Sequence, residues 1–241
     1  TDPHLTQRAS PVNFLGPRRL VELGISLIDL PVIDIVIISH NHYDHLDRKT
    51  ISALVEQQPA NPPLFLVPLG LKDWFADIGI NEKVIELDWW QSHRVGDWEL
   101  NAVPVQHWSR RGLFDTNKTL WAGWVIEAPE QKMFFAGDTG YSQDFKDISE
   151  HFGIMDISLI PIGTYAPRWF MQDMYVNPDE AVQIHQDVQS RFSVGMHWGT
   201  FLNLTDEPFL EPSQRLKEVL TERKLSQESF ITLKHGQTLR L

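Results

Sequence analysis

The chain has 241 residues, of which 42% are apolar and 22% charged, a composition typical of a globular enzyme that buries a full-size core. It has no cysteine, which excludes disulfide bonds and thiolate metal ligands and leaves imidazole and carboxylate groups to hold any metal ion. Its formal net charge of −11 argues against a nucleic-acid partner, and no apolar run approaches the roughly 18 residues that a membrane-spanning helix needs.

The first clear element is a short strand that ends in a polar stretch. The opening 33 residues show no sustained period and are expected to be extended or looping. Asp34–Ser39 is a β-branched run typical of a buried strand, and it stops abruptly at His40. Arg48–Gln57 has helical character, with Asp47 placed to cap its N-terminus. Because α/β proteins place chemistry in loops at strand ends, the stretch between strand and helix is a candidate site.

Strands and helices alternate along the rest of the chain. The predicted strands are Leu64–Val67, Val84–Leu87, Glu99–Val105, Ala122–Glu127, Met133–Ala136, Ile157–Ile162, Phe192–Met196 and Phe230–Leu233. The predicted helices are Leu71–Asp77, Gln143–Phe152, Pro178–Asp187 and Pro212–Glu222. This order predicts an α/β protein with a layered sheet core covered by helices. No linker divides the sequence, so we predict one domain over residues 1–241.

Four side chains that can bind a metal lie within six residues, at His40, His42, Asp44 and His45. Imidazoles at positions i and i+2 of an extended backbone point the same way, so His40 and His42 can bind one ion. As the chain turns toward the helix, Asp44 and His45 can face a second ion.

Two metal ions need more than four ligands, and further candidates follow other predicted strands. His107, Asp138 and His197 each lie one to three residues beyond an apolar run, the same placement as the first cluster. The residues therefore predict a centre for two metal ions.

The sequence HNHYDH at positions 40–45 matches the H-x-H-x-D-H signature of the metallo-β-lactamase superfamily, and the later His, Asp and His occur in the order of that superfamily. Within it, the chain resembles the branch of N-acylphosphatidylethanolamine-hydrolysing phospholipases D. The segments that carry this resemblance are GPRR (16–19), SHNHYDHLD (39–47), VPLGL (67–71), ELDWW (86–90), FFAGDTGY (134–141), PRWFM (167–171), HWGTF (197–201) and LKHG (233–236).

The resemblance implies a four-layer αββα fold and a full ligand assignment. His40, His42 and His107 would bind one ion, Asp44, His45 and His197 the other, and Asp138 would bridge both. Two Zn²⁺ ions are implied as the cofactor, with Fe and Mn as alternatives, and Asp44 and Asp138 take part in catalysis as ligands. The implied reaction converts N-acylphosphatidylethanolamine to N-acylethanolamine and phosphatidic acid, in the cytoplasm or at a membrane surface. A homodimer is also implied.

The opening β-hairpin of the superfamily lies ahead of the segment Thr1-Asp2-Pro3, at which this chain begins. We therefore expect at least two further strands ahead of Thr1 in the natural protein.

Substrate contacts are expected from three residues that follow strands. Tyr165 and Arg168, in a loop after the strand that ends at Ile162, can reach a phosphoryl oxygen, and His235 follows the last strand. An exposed run Trp169–Met171 would suit docking onto a lipid surface.

Two other functions are compatible with the same motifs. The first is hydrolysis of a small ester, lactone or phosphodiester, because a metal-activated water attacks carbonyl carbon or phosphorus. The second is a di-iron redox module. It has less support, because such proteins usually carry an acidic residue in the first cluster, where this chain has His42.

Overall fold

In the computed structural model, which describes residues 1–202 and 204–240, the chain divides into two compact units. The first comprises Thr1–Asp88, Trp108–Trp121 and the segment from Lys234 onward. The second comprises Trp89–His107 and Ala122–Leu233. The single-domain interpretation of the sequence stays a prediction.

The first unit is built on a small parallel sheet in the order β2-β3-β4. Its elements are β1 (Arg18–Arg19), a 3₁₀ helix (Leu27–Asp29), β2 (Ile35–Ile37), α1 (Arg48–Gln57), β3 (Leu64–Pro68), α2 (Lys72–Asp77) and β4 (Val84–Leu87). The predicted strands and helices of this region are confirmed. β1 and the 3₁₀ helix lie in the opening segment, where the sequence predicts no regular element.

One apolar cluster holds this sheet and its helices together. Phe65 and Val67 lie two residues apart on β3 and are fully buried, as are Ile51 on α1 and Phe75 on α2. The rings of Phe65 and Phe75 are 4.9 Å apart between centroids. The loop that joins β2 to α1 is therefore anchored at both ends in a packed core.

That loop ends where the sequence predicts it. Asp47 caps α1, since its carboxylate accepts hydrogen bonds from the Thr50 amide and hydroxyl at 3.1 and 2.5 Å. Replacing an N-cap residue of this kind with alanine typically lowers the free energy of unfolding by about 1 kcal/mol.

The second unit contains a seven-stranded sheet in the order β12-β10-β9-β8-β7-β6-β5. Its elements are β5 (Ser92–Val95), β6 (Trp98–Val103), β7 (Gly123–Glu127), β8 (Lys132–Phe135), α3 (Asp144–Phe152), β9 (Met155–Pro161), α4 (Arg168–Met171), α5 (Pro178–Asp187), β10 (Ser190–Met196), β11 (Phe201–Leu202), α6 (Glu211–Glu222) and β12 (Phe230–Thr232). The predicted strands and helices of this unit are confirmed within a few residues, whereas β5, β11 and α4 are not predicted.

The strand directions bring several loops to one edge of this sheet. β6 and β8 are both antiparallel to β7, so they run the same way, and β9 and β10 are parallel to β8. The chain therefore leaves β6, β8, β9 and β10 at the same edge. A bridge between Gln106 and Gly140 ties the loops after β6 and β8 together.

No helix among the described residues is both long and apolar enough to cross a bilayer.

Candidate metal centre

The polar stretch after β2 forms a tight loop, called here the ligand loop (His40–His45). The Leu46 amide donates to the His42 carbonyl at 2.9 Å and turns the chain toward α1. His40 Nε2 lies 2.7 Å from His42 Nδ1, and His45 Nε2 lies 3.6 Å from a carboxylate oxygen of Asp44. The structure thus brings the four side chains of the first predicted cluster together.

Asp2 is hydrogen-bonded to the ligand loop and to the residue that precedes it. Its carboxylate accepts hydrogen bonds from the Ser39 amide at 2.7 Å, the Ser39 hydroxyl at 2.5 Å and His45 Nδ1 at 2.7 Å. The Ser39 hydroxyl is also 2.8 Å from His40 Nδ1. Because a carboxylate only accepts, the bond to His45 places the proton of the neutral ring on Nδ1 and its lone pair on Nε2, the atom that would bind a metal.

Asp2 is a candidate site residue that the sequence motifs do not reveal. Its two partners lie 37 and 43 residues away, so no local spacing signals the contact. Asp2, His40 and His45 can each present one atom within 4.8 Å of the others, which would also allow Asp2 to bind a metal directly. The three hydrogen bonds to its carboxylate favour the orienting role.

The second predicted cluster assembles at the common edge of the large sheet. His107 follows β6, Asp138 follows β8 and His197 follows β10 directly. One carboxylate oxygen of Asp138 is 3.9 Å from His107 Nε2 and 3.3 Å from His197 Nε2. The side chains of His107 and Asp138 are almost entirely inaccessible to solvent. The parallel strand directions explain how residues 90 positions apart meet.

The imidazoles of this second cluster are held by neighbours that the sequence does not single out. His107 Nδ1 donates to the Met174 carbonyl at 3.0 Å, which directs its Nε2 toward Asp138. His197 Nδ1 lies 3.2 Å from the Thr164 hydroxyl. The ring of Tyr175 is 5.3 Å from that of His107 and 6.1 Å from that of His197.

The donor sets fit divalent metal ions. Two ligand atoms bound at about 2.1 Å to one tetrahedral ion are about 3.4 Å apart. The Asp138–His197 separation of 3.3 Å and the Asp44–His45 separation of 3.6 Å match this spacing, whereas the His40 and His42 nitrogens lie closer together, at 2.7 Å. Imidazole nitrogen and carboxylate oxygen are the ligands that Zn²⁺ accepts when no thiolate is present, and Fe²⁺ and Mn²⁺ accept them too.

The three predicted substrate contacts are placed differently from one another. Tyr165 is buried, and its hydroxyl has no hydrogen-bond partner among the residues that the structure describes. Arg168 begins α4 rather than lying in a loop; its guanidinium donates to the Tyr175 carbonyl at 2.7 Å and to both Glu180 oxygens at 2.8 and 2.9 Å. His235 lies on an exposed segment after β12.

Comparison with known proteins supplies the family. A family model described as "Beta-lactamase superfamily domain" matches residues 1–198. The chain is 40% identical over 250 aligned positions, 98% of its length, to "N-acyl-phosphatidylethanolamine-hydrolyzing phospholipase D 1" of Caenorhabditis elegans. It is 39% identical, over 86% of its length, to "N-acyl-phosphatidylethanolamine-hydrolyzing phospholipase D, mitochondrial" of Saccharomyces cerevisiae. The aligned region is 69% of the nematode protein and 45% of the yeast protein.

A solved structure shares the fold. The isothiocyanate hydrolase from Delia radicum gut bacteria superimposes with a TM-score of 0.73 and 20% identity, covering 100% of this chain and 91% of that one. At this identity the match speaks for the fold alone.

Proposed function

The chain belongs to the metallo-β-lactamase superfamily of metal-dependent hydrolases and has the fold of that superfamily, and from this premise we propose that it is a dinuclear zinc phosphodiesterase of phospholipase D type. Its substrate in this proposal is N-acylphosphatidylethanolamine, and its products are N-acylethanolamine and phosphatidic acid. The observation that carries the proposal is the pair of buried and half-buried His/Asp clusters, each with metal-ligand chemistry. The nematode and yeast relatives, named for this reaction, support the choice of substrate.

We assign seven residues to two ions. His40, His42 and His107 would bind the first, Asp44, His45 and His197 would bind the second, and Asp138 would bridge them. The bridging role is supported by the position of one Asp138 oxygen within 4 Å of both His107 and His197, which the assignment gives to different ions. Seven ligands exceed what a single tetrahedral ion can use.

Metal ions bound by these residues would supply a water of lowered pKa as the nucleophile and positive charge beside the phosphoryl group. The protein's own residues set the geometry for this chemistry. Asp2 and the Met174 carbonyl hold the Nδ1 protons of His45 and His107, so that Nε2 of each ring carries the lone pair for a metal. Neither a serine nor a cysteine nucleophile is required.

We propose that the enzyme works at the surface of a membrane that contains its lipid substrate. Trp169 and Phe170 are 80% and 56% exposed on α4, whereas Met171 is buried. Two adjacent exposed aromatic side chains suit the interfacial region of a bilayer.

A metal assay joined to a hydrolysis screen tests the proposal against its alternatives. Purified protein is analysed for Zn, Fe and Mn, and is then assayed on N-palmitoyl phosphatidylethanolamine, bis(p-nitrophenyl) phosphate and a lactone. We expect about two zinc ions per chain and release of N-palmitoylethanolamine. Rapid lactone hydrolysis without cleavage of the lipid would favour the small-substrate alternative. Iron without hydrolysis of any substrate would favour the di-iron redox module.

A further inference from the structure

The side chain of Arg111 contacts the backbone of the ligand loop. Its Nη1 donates to the carbonyl oxygens of Asn41 at 2.8 Å and Leu46 at 2.7 Å, and lies 3.5 Å from that of His42. One nitrogen of this side chain therefore binds the main chain near the start of the ligand loop and just after its end.

The same guanidinium is enclosed by aromatic rings. It lies 4.0 Å from the ring centroid of Tyr43, a residue of the ligand loop, and 5.2 Å from that of Trp74. The Tyr43 hydroxyl donates to the Arg111 carbonyl at 3.0 Å, so the two residues contact each other both through the ring and through this hydrogen bond. Partial burial lowers the pKa of Arg111 from its ordinary value.

The segment around Arg111 also forms hydrogen bonds of its own. The Asp115 carboxylate accepts hydrogen bonds from the amides of Arg111 at 3.1 Å and Gly112 at 2.8 Å. The Arg110 amide donates to the Asn41 side chain at 2.8 Å. The turn that carries Arg111 is thus hydrogen-bonded within itself and to the ligand loop.

We propose that Arg111 is a positioning residue for metal binding: it holds the ligand loop in the arrangement that His40, His42, Asp44 and His45 need before an ion arrives. The inference rests on the proposed function, which assigns these four residues to the metal centre. Lysine cannot replace this role, because it lacks the planar group that donates to carbonyls while stacking on Tyr43. Outer residues that orient metal ligands typically change metal affinity by about 10- to 100-fold.

The test compares Arg111→Lys and Arg111→Gln with Arg110→Gln. Arg110 is the matched control, because it is the adjacent arginine, is exposed, and its guanidinium donates to the Gly112 carbonyl rather than to the ligand loop. Zn²⁺ affinity is measured by competition with a fluorescent chelator, and the unfolding temperature of each metal-free variant is measured alongside. The visible spectrum of the Co²⁺-loaded protein reports ligand geometry.

We expect both Arg111 variants to bind Zn²⁺ about 10- to 100-fold more weakly and to show an altered Co²⁺ spectrum, while Arg110→Gln stays within about twofold of wild type. If Arg111→Gln does not fold, Arg111→Lys and Tyr43→Leu, which removes the stacked ring, give the same comparison. Wild-type Zn²⁺ affinity and an unchanged Co²⁺ spectrum in folded Arg111 variants would overturn this inference alone. A wild-type protein that binds no metal would overturn the proposed function as well.

Discussion

The carboxylate of Asp2 and the imidazole of His45 form a 2.7 Å hydrogen bond across 43 residues of sequence. Because the carboxylate accepts from Nδ1, the lone pair of the neutral ring lies on Nε2, which is 3.6 Å from a carboxylate oxygen of Asp44. The hydrogen bond links the second residue of the chain directly to the ligand loop, and its contribution can be measured.

We expect Asp2→Asn to weaken zinc binding by about 10- to 100-fold, because the neutral amide no longer supports the same ring orientation or ligand basicity. Competition with a zinc chelator provides the measurement. Asp29→Asn is the control, since the Asp29 carboxylate accepts from Ser26 on the surface. Complete loss of one ion, with the second ion bound normally, would instead identify Asp2 as a direct ligand.

Asp138→Ala should remove both metal ions and nearly all activity, because the carboxylate is assigned to both. Elemental analysis after dialysis against a weak chelator gives the stoichiometry. Asp147→Ala, at an exposed position of α3, should keep two ions. Retention of two ions and full activity in the Asp138 variant would refute the bridging assignment.

Arg168→Ala should lower hydrolysis of bis(p-nitrophenyl) phosphate while leaving the metal content intact, if Arg168 contacts phosphate as the sequence predicts. The structure supplies the control, because Arg168 forms a half-buried ion pair with Glu180. Such a pair contributes at most about 1 kcal/mol to folding. Glu180→Gln removes the pair but keeps the cation, so equal losses in both variants would point to a structural role.

Trp169→Ser combined with Phe170→Ser should reduce binding to vesicles of phosphatidylcholine and N-palmitoyl phosphatidylethanolamine by several fold, because two interfacial aromatic anchors are lost. Hydrolysis of soluble bis(p-nitrophenyl) phosphate should stay unchanged. Ile28→Ser is the control, since Ile28 is a similarly exposed apolar residue at 84%. Equal sedimentation of the double variant and the wild type with vesicles would show that Trp169 and Phe170 do not contribute to membrane binding.

Sequence patterns predict the strands of this protein well because most of them are buried apolar runs. Strand β5 (Ser92–Val95) is missed because its polar sequence lies at the edge of the large sheet. Helix α4 has only four residues, too few for a helical period to show.

The candidate metal ligands can be picked out for a similar local reason, because His and Asp residues coincide with the ends of predicted strands. The residues that orient them cannot. The contacts of Asp2, Met174 and Arg111 with the candidate site span 43, 67 and 70 residues of sequence, and two of these contacts use a main-chain carbonyl that any residue type could supply. The ion pair of Arg168 is also not visible in the sequence. Its partner Glu180 belongs to the capping box that Asn177 forms at the start of α5, and the fold brings Arg168 to that carboxylate.

The central claim is tested most directly by isotope incorporation during hydrolysis of N-palmitoyl phosphatidylethanolamine in H₂¹⁸O by the zinc-loaded protein. Attack of water on phosphorus breaks the bond between phosphorus and the ethanolamine oxygen. That oxygen leaves as the hydroxyl of N-palmitoylethanolamine. We therefore expect mass spectrometry to find one ¹⁸O atom in phosphatidic acid and none in N-palmitoylethanolamine. Label in a released fatty acid, or no cleavage of the lipid by the metal-loaded protein, would contradict a phospholipase D-type phosphodiesterase.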